Sequence, residues 1–256
     1  MYQLLQYLKF LLTSTNQHGV HSPFVFDLVT KCFYDKTNHN AYSKLKSYRK
    51  TLLSNTQKLA ITDLGAGSKR FKTKERPIKA IAKTSGTPLK RAKLLFRLVA
   101  YFKPQNILEL GTSLGIATQA MALGNTRATV TTIEGCPNVS AFAKQQLDTF
   151  NIENAILKTG HFEAYLSTLA QQQWDLIFID GNHQKEATLL YFEQLLPATY
   201  NDSIFILDDI YWSKGMTEAW NTIKQHPKVT ATIDSFYWGM VFFKKELSKE
   251  NFKIRM

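Results

Sequence analysis

The sequence predicts an α/β protein, an open and mostly parallel sheet covered by helices, preceded by a basic helical extension. Three observations predict it. From Pro88 onward, short and nearly continuous apolar runs alternate with helix-length segments, as expected of strands whose two faces are both covered. The first of these runs enters a glycine turn that opens a helix, and the next run ends in an acid. The last two runs, VTATID and YWGMVFFKK, are separated only by Ser235 and Phe236, too few residues for a parallel crossover, so they form an antiparallel pair. At 256 residues the chain holds one domain, or one domain with an appendage.

The elements follow in order. Residues 1–13 read as a short amphipathic helix, and 24–33 and 41–55 as two more. Ser22 before Pro23 is a helix start, because proline at the first helical turn lacks only an N–H that would be unpaired anyway. Residues 64–87, rich in Gly, Lys, Arg, Thr and Pro, show little apolar periodicity and read as a loose connection ending at Gly86, Thr87 and Pro88. The expected division is therefore an extension over 1–87 and a domain over 88–256. In PLKRAKLLFRLVAYF, Leu95, Leu98, Val99 and Phe102 make the apolar side of a helix. Strands NILEL, ATVTTIE, AILKT, WDLIFID and SIFILDD then alternate with helices over 115–124, 138–150, 162–171 and 184–198. A helix over 214–225 precedes the antiparallel pair.

The glycine turn is ILELGTSLG, residues 107–115. Gly111 permits a sharp turn and close backbone approach, Gly115 lets the helix pack near the strand, and the helix N-terminus offers free N–H groups. Glu134 ends the next strand 23 residues after Gly111, where an acid accepts hydrogen bonds from the ribose hydroxyls of an adenosine cofactor. A dinucleotide site prefers glycine at the middle position of this turn, to admit the pyrophosphate. Ser113 stands there, which suits a ligand without pyrophosphate, and Glu109 suits a cationic sulfonium better than a phosphate. A second glycine-rich stretch, ITDLGAGS at 61–68, is followed by Lys and Arg rather than by a strand with a terminal acid, so it is set aside as a turn or a substrate-side loop.

Taken in order, ILELGTSLGIAT, TTIEG, WDLIFIDGNH, FILDDIYW and FYWGMVFF resemble a class I S-adenosylmethionine-dependent methyltransferase over roughly residues 88–245. The resemblance is to the bacterial O-methyltransferase-like group related to catechol O-methyltransferase and the macrocin-type sugar O-methyltransferases, and HGVHSPFVFDLVT resembles an extension of uncharacterised bacterial members. It implies a Rossmann-like, mostly parallel seven-stranded sheet of order 3-2-1-4-5-7-6 with strand 7 antiparallel. It also implies that Glu109, Gly111, Thr112, Ser113 and Gly115 hold the methionine end and form the turn. Glu134, with Gly135, holds the ribose; Gly160, His161 and Phe162 border the adenine; Asp180 lies near the sulfonium.

Asp180 ends one strand, and Asp208 and Asp209 end the next. Adjacent parallel strands bring such carboxylates together, where they repel unless a cation or proton intervenes. Mg2+ is the oxygen-loving candidate, and related O-methyltransferases carry acids as metal ligands at the positions of Asp180, Asp208 and Asp209. The other reading is that Asp208 caps a turn while Asp180 or Asp209 positions the cofactor. His183 is either a general base or a loop histidine bonded to a neighbouring acid. His18 and His21 lack further ligands nearby and read as lining a substrate entrance rather than as a metal pair. Tyr211, Trp212 and Met216 either wall an acceptor pocket or belong to the core.

Charge is uneven. The first 100 residues hold 19 basic and 4 acidic residues, net +15, and the remainder 13 and 16, net −3, which together give the +12 of the chain. A solvated basic surface is favoured over attraction to an anionic partner, since no zinc-finger spacing or aromatic RNA-binding pattern accompanies the charge. No apolar run reaches the roughly 18 residues of a membrane span, and the start reads as no signal peptide. Cys32 and Cys136 form no disulfide framework, so a reducing cytoplasm is expected. The expected activity is methyl transfer from S-adenosylmethionine to an oxygen of a small or sugar-like acceptor. The rivals are a nucleic-acid-binding or nucleic-acid-modifying protein, and a dinucleotide-dependent oxidoreductase. Asp208, Asp209, Ile210 and Tyr211 stand where amino-group methylation would place Asn-Pro-Pro-aromatic. The oligomeric state stays open, a homodimer included.

Overall fold

The computed structural model describes residues 1–62 and 75–256. Helices α1 (Tyr2–Thr13), α2 (Pro23–Leu28) and α3 (Ala41–Ser54) come first, then strands β1 (Lys58–Ala60) and β2 (Glu75–Pro77) and helices α4 (Ile78–Thr84) and α5 (Leu89–Phe102). Next are β3 (Asn106–Leu110), α6 (Ile116–Gly124), β4 (Thr129–Glu134), α7 (Pro137–Thr149) and β5 (Ala155–Thr159). They are followed by α8 (Glu163–Leu169), β6 (Leu176–Ile179), α9 (Lys185–Leu195), β7 (Ile204–Asp208) and α10 (Lys214–Gln225). Strands β8 (Ala231–Asp234), β9 (Trp238–Phe242) and β10 (Glu250–Lys253) complete the described elements. The chain divides into two compact units, one made of Asp35–Phe162 and the other of Met1–Tyr34 with Glu163–Met256.

In the unit Asp35–Phe162, β3, β4 and β5 lie side by side and parallel, with Leu108 opposite Thr131 and Thr131 opposite Ile156. Ile107, Leu108 and Leu110 are fully buried, as their unbroken apolar run requires. Leu95, Leu98 and Val99 of α5 are buried too, at the spacing that puts them on one helix face. Helix α3 packs on both α5 and α6, so the units do not part near residue 87, where the sequence divides extension from domain. The loose connection expected over 64–87 contains regular structure. β2 pairs antiparallel with β1, Leu59 opposite Arg76, and α4 buries Ile78, Ile81 and Ala82. Their i, i+3, i+4 spacing makes one narrow apolar stripe between lysines, which composition alone conceals. Most of the set-aside stretch ITDLGAGS, from residue 63 on, lies outside the described residues.

In the other unit the strand order is β10-β8-β9-β7-β6. β6 and β7 are parallel, and β9 runs antiparallel to both β7 and β8. Counting β3 as strand 1, each unit therefore has its part of the expected order, 3-2-1 in one and 4-5-7-6 in the other, with strand 7 reversed. The difference is an eighth strand, β10, parallel to β8 at the edge. An isolated parallel bridge joins Thr15 to Ile254. Ser22 caps α2 as expected, its hydroxyl accepting from the Val25 amide, and Ser213 caps α10 through Met216. None of the described helices is long and apolar enough to cross a membrane.

Candidate active site

In the unit Asp35–Phe162, β3 runs into a turn of unusual backbone. Gly111, Ser113 and Gly115 take φ values of 108°, 48° and 76°. For glycine this left-handed region is free, whereas for Ser113 it requires support. The support comes from Glu134 at the end of β4. Its Oε2 accepts from the Ser113 amide at 2.8 Å and its Oε1 from the Cys136 amide at 2.9 Å. Burial raises the Glu134 pKa, opposed by the amides of Cys136, Ser113 and Gly135. Each carboxylate oxygen still has accepting capacity beyond one amide. The hydroxyls of Thr112 and Thr132 meet at 2.6 Å. At the end of β5 the Gly160 amide donates to the Glu134 carbonyl, His161 is exposed and Phe162 is half-buried.

Tyr48 of α3 was invisible to sequence reasoning. Its hydroxyl donates to the Leu114 carbonyl at 2.8 Å, inside the turn, and a Cβ on Gly115 would lie 2.6 Å from that oxygen. The partners are 66 residues apart, so no periodic or local signal announces the contact.

Glu109 lies fully buried under the turn, with the Thr118 hydroxyl donating to Oε2 at 2.5 Å and Oε1 without a partner. Burial pushes its pKa up from 4.5 to about 8, against the opposing Thr118 bond. Between those two values the folded protein keeps a proton that the unfolded chain releases. The stabilisation is thus complete below pH 4.5 and is lost as pH rises through about 8. Glu109→Gln should flatten the fall in stability between pH 5 and pH 8, as read by urea denaturation at both pH values. An unchanged slope would rule Glu109 out as its source.

In the other unit, Asp180 follows β6, His183 lies three residues on, and Asp208 ends β7. One ligand atom from each lies within 4.8 Å of the others, the one such cluster among the described residues. His183 Nε2 is 3.7 Å from Asp180 Oδ1, and its ring centroid is 6.4 Å from that of Trp212. Asp208 is buried, whereas Asp180 and His183 are half-buried. Asn182, at φ 49°, donates to the Tyr191 hydroxyl at 2.9 Å, and that hydroxyl donates to Glu163 at 2.6 Å, so α9 and α8 steady the loop. Asp209 does not join the cluster expected of it. Its backbone turns to φ 53°, and it lines a hollow with Tyr211 and Trp212. Met216 is core, its sulfur accepting from the Thr188 hydroxyl. Among the described residues, His18 and His21 belong to no metal-ligand cluster.

Residues 108–210, which contain both the turn and the Asp180 cluster, match a family model described as a methyltransferase domain. No curated protein matches the chain. Solved structures do. The S-adenosylhomocysteine-bound methyltransferase from Podospora anserina superposes with TM-score 0.60 at 15% identity, over 88% of this chain and 97% of that one. An O-methyltransferase from Bacillus cereus, in complex with S-adenosylhomocysteine, gives 0.57 at 19% identity, over 86% and 97%. An O-methyltransferase of tomaymycin synthesis from Streptomyces achromogenes, in complex with S-adenosylmethionine, gives 0.58 at 14% identity, over 84% and 95%. Residues 108–210 are thus similar to a methyltransferase domain, and the chain shares the fold of these methyltransferase structures.

Proposed function

We propose that the protein transfers the methyl group of S-adenosylmethionine to a hydroxyl oxygen of a small acceptor. The observation that carries this reading is the Glu134 carboxylate, bound to the Ser113 and Cys136 amides while keeping lone pairs for a ribose diol. Gly111, Thr112, Ser113 and Gly115 form the bed of the methionine end, and Gly135, Gly160, His161 and Phe162 the adenosine side. Ser113 at the middle of the turn disfavours a dinucleotide, whose pyrophosphate needs bare backbone there. Residues 88–256 are the methyl-transferring domain in this reading, and 1–87 its extension. The buried free thiols of Cys32 and Cys136 suit a cytoplasmic protein.

When bound, S-adenosylmethionine supplies an electrophilic methyl on a sulfonium. The acceptor hydroxyl must lose its proton as the O–C bond forms and the C–S bond breaks, leaving S-adenosylhomocysteine. We assign proton removal to His183, with Asp180 beside Nε2 to orient the ring. The donors at hand fit Mg2+ poorly. Asp209 stands aside and an imidazole takes its place, whereas Mg2+ favours an all-oxygen shell. No step is assigned to a metal.

Calorimetry with S-adenosylhomocysteine and with NAD tests the reading. The first should bind and raise the melting temperature, and the second should do neither. With catechol as trial acceptor, His183→Ala should lower kcat by about 10²–10⁴-fold and leave S-adenosylhomocysteine affinity unchanged. NAD binding without S-adenosylhomocysteine binding would sink the proposal.

A further inference from the structure

The unit that contains both Met1–Tyr34 and Glu163–Met256 has a half-open hollow of about 220 Å³. Gln3, Leu4 and Tyr7 of α1 form one wall. Asp209, Tyr211 and Trp212, just after β7, form a second. Phe236 and Tyr237, in the turn between β8 and β9, form the third.

The hollow is built, and backbone strain is maintained in it. Asp234, buried at the end of β8, accepts from the Tyr211 hydroxyl at 2.5 Å and from the Phe236 amide at 2.9 Å. This clamp sets the two rings in a stack, 5.2 Å apart and 18° from parallel. Tyr7 meets Phe236 edge-on at 4.8 Å. Phe236 holds φ at 73° and Asp209 at 53°. A bulky aromatic in that region is a real outlier, and backbone strain of about 1–3 kcal/mol is kept only where the surroundings enforce it, most often around ligands. Two strained residues lining one hollow point to a ligand there.

The chemistry of the lining selects the ligand. Among the described residues that line it, five are aromatic and Asp209 is the one acidic or basic member. Aromatic faces carry negative potential and attract cations, most strongly when partly desolvated. Among the described lining residues an anion would meet a carboxylate and no Lys or Arg, in a chain with 32 basic against 20 acidic residues. The volume suits about one substituted ring.

We propose that this hollow recognises a small organic cation, a quaternary or protonated amine on an apolar body, and that α1 is its selectivity wall. Asp209 adjoins Asp208 of the Asp180 and His183 cluster, so the cation is a part of the acceptor. That last clause alone rests on the methyl-transfer reading.

The test is calorimetry on the full chain with benzyltrimethylammonium, benzyl alcohol and benzenesulfonate. Benzyltrimethylammonium should bind about tenfold tighter than either of the others. Asp209→Asn, which tolerates the left-handed backbone, should weaken it about fivefold, and Tyr7→Leu should weaken it without altering S-adenosylhomocysteine affinity. Equal affinity for the three probes, or unchanged cation binding in both variants at unchanged melting temperature, would overturn the proposal. S-adenosylhomocysteine is titrated in parallel. If it fails to bind while the cation binds, the methyl-transfer reading falls and the hollow stands; if it binds and the cation does not, the hollow's assignment falls alone.

Discussion

Glu134→Ala should lower S-adenosylhomocysteine affinity by about 10²–10³-fold in titration calorimetry. Two losses add. The ribose hydroxyls lose a charged acceptor, and hydrogen bonds to charged groups contribute about 1.5–3 kcal/mol each. The Ser113 and Cys136 amides also lose theirs, at 2.8 and 2.9 Å in the intact protein. Ser113 then has nothing to hold its left-handed backbone, and the bed of the cofactor relaxes before the ligand arrives. The ligand-free protein should therefore melt lower as well. An affinity within a factor of about three of the parent, in a variant that has lost thermal stability, would show that Glu134 only braces the turn and that the ribose binds elsewhere.

The second large effect is expected at Gly115. Alanine there must hold φ near 76° and place its Cβ 2.6 Å from the Tyr48 hydroxyl. The left-handed conformation costs about 1–2 kcal/mol, and the crowding a further 1–3 kcal/mol, so urea denaturation should show a loss of about 2–5 kcal/mol. Tyr48→Phe alone should cost about 1 kcal/mol by leaving the Leu114 carbonyl unpaired. Combined, the two changes should cost less than their sum by about 1 kcal/mol, because phenylalanine removes the atom the new Cβ meets. Strict additivity would mean that Tyr48 yields freely and that the backbone angle alone makes glycine necessary.

What the sequence disclosed follows from how the information is distributed along the chain. NILEL, TVTTIE, LIFI and IFILD were legible as strands because successive residues along them are buried, on both faces, which leaves an unbroken apolar run. β10 was not, since of its four residues only Phe252 is buried and the rest read as polar tail. Gly111 and Glu134 were legible because their relation is carried by one strand–turn–helix–strand unit. Tyr48 and Asp234 were not, because each acts on a residue that no period links to it, Leu114 for one and Tyr211 for the other. Asp208 and Asp209 show a finer limit. Successive residues at a strand end point to opposite faces, and the pattern LDDIY does not say which aspartate turns toward Asp180. The left-handed turn at Asp209 decides it for Asp208.

The pairing of Thr15 with Ile254, and of β10 with β8, has a consequence for biosynthesis. Asp35–Phe162 is one uninterrupted stretch, whereas the unit containing α1 also needs the residues from Glu163 on. At about 5–20 residues per second, the roughly 240 intervening residues take about ten to fifty seconds to translate. For that interval α1 carries Leu4, Leu5, Leu8 and Leu12, which stay exposed even in the finished fold, together with Phe10, which has yet to be buried. Until the residues from Glu163 on arrive, the apolar side chains of α1 have nothing from that part of the unit to cover them. The wall that α1 contributes around Tyr211 and Phe236 is among the last parts of the molecule to be assembled.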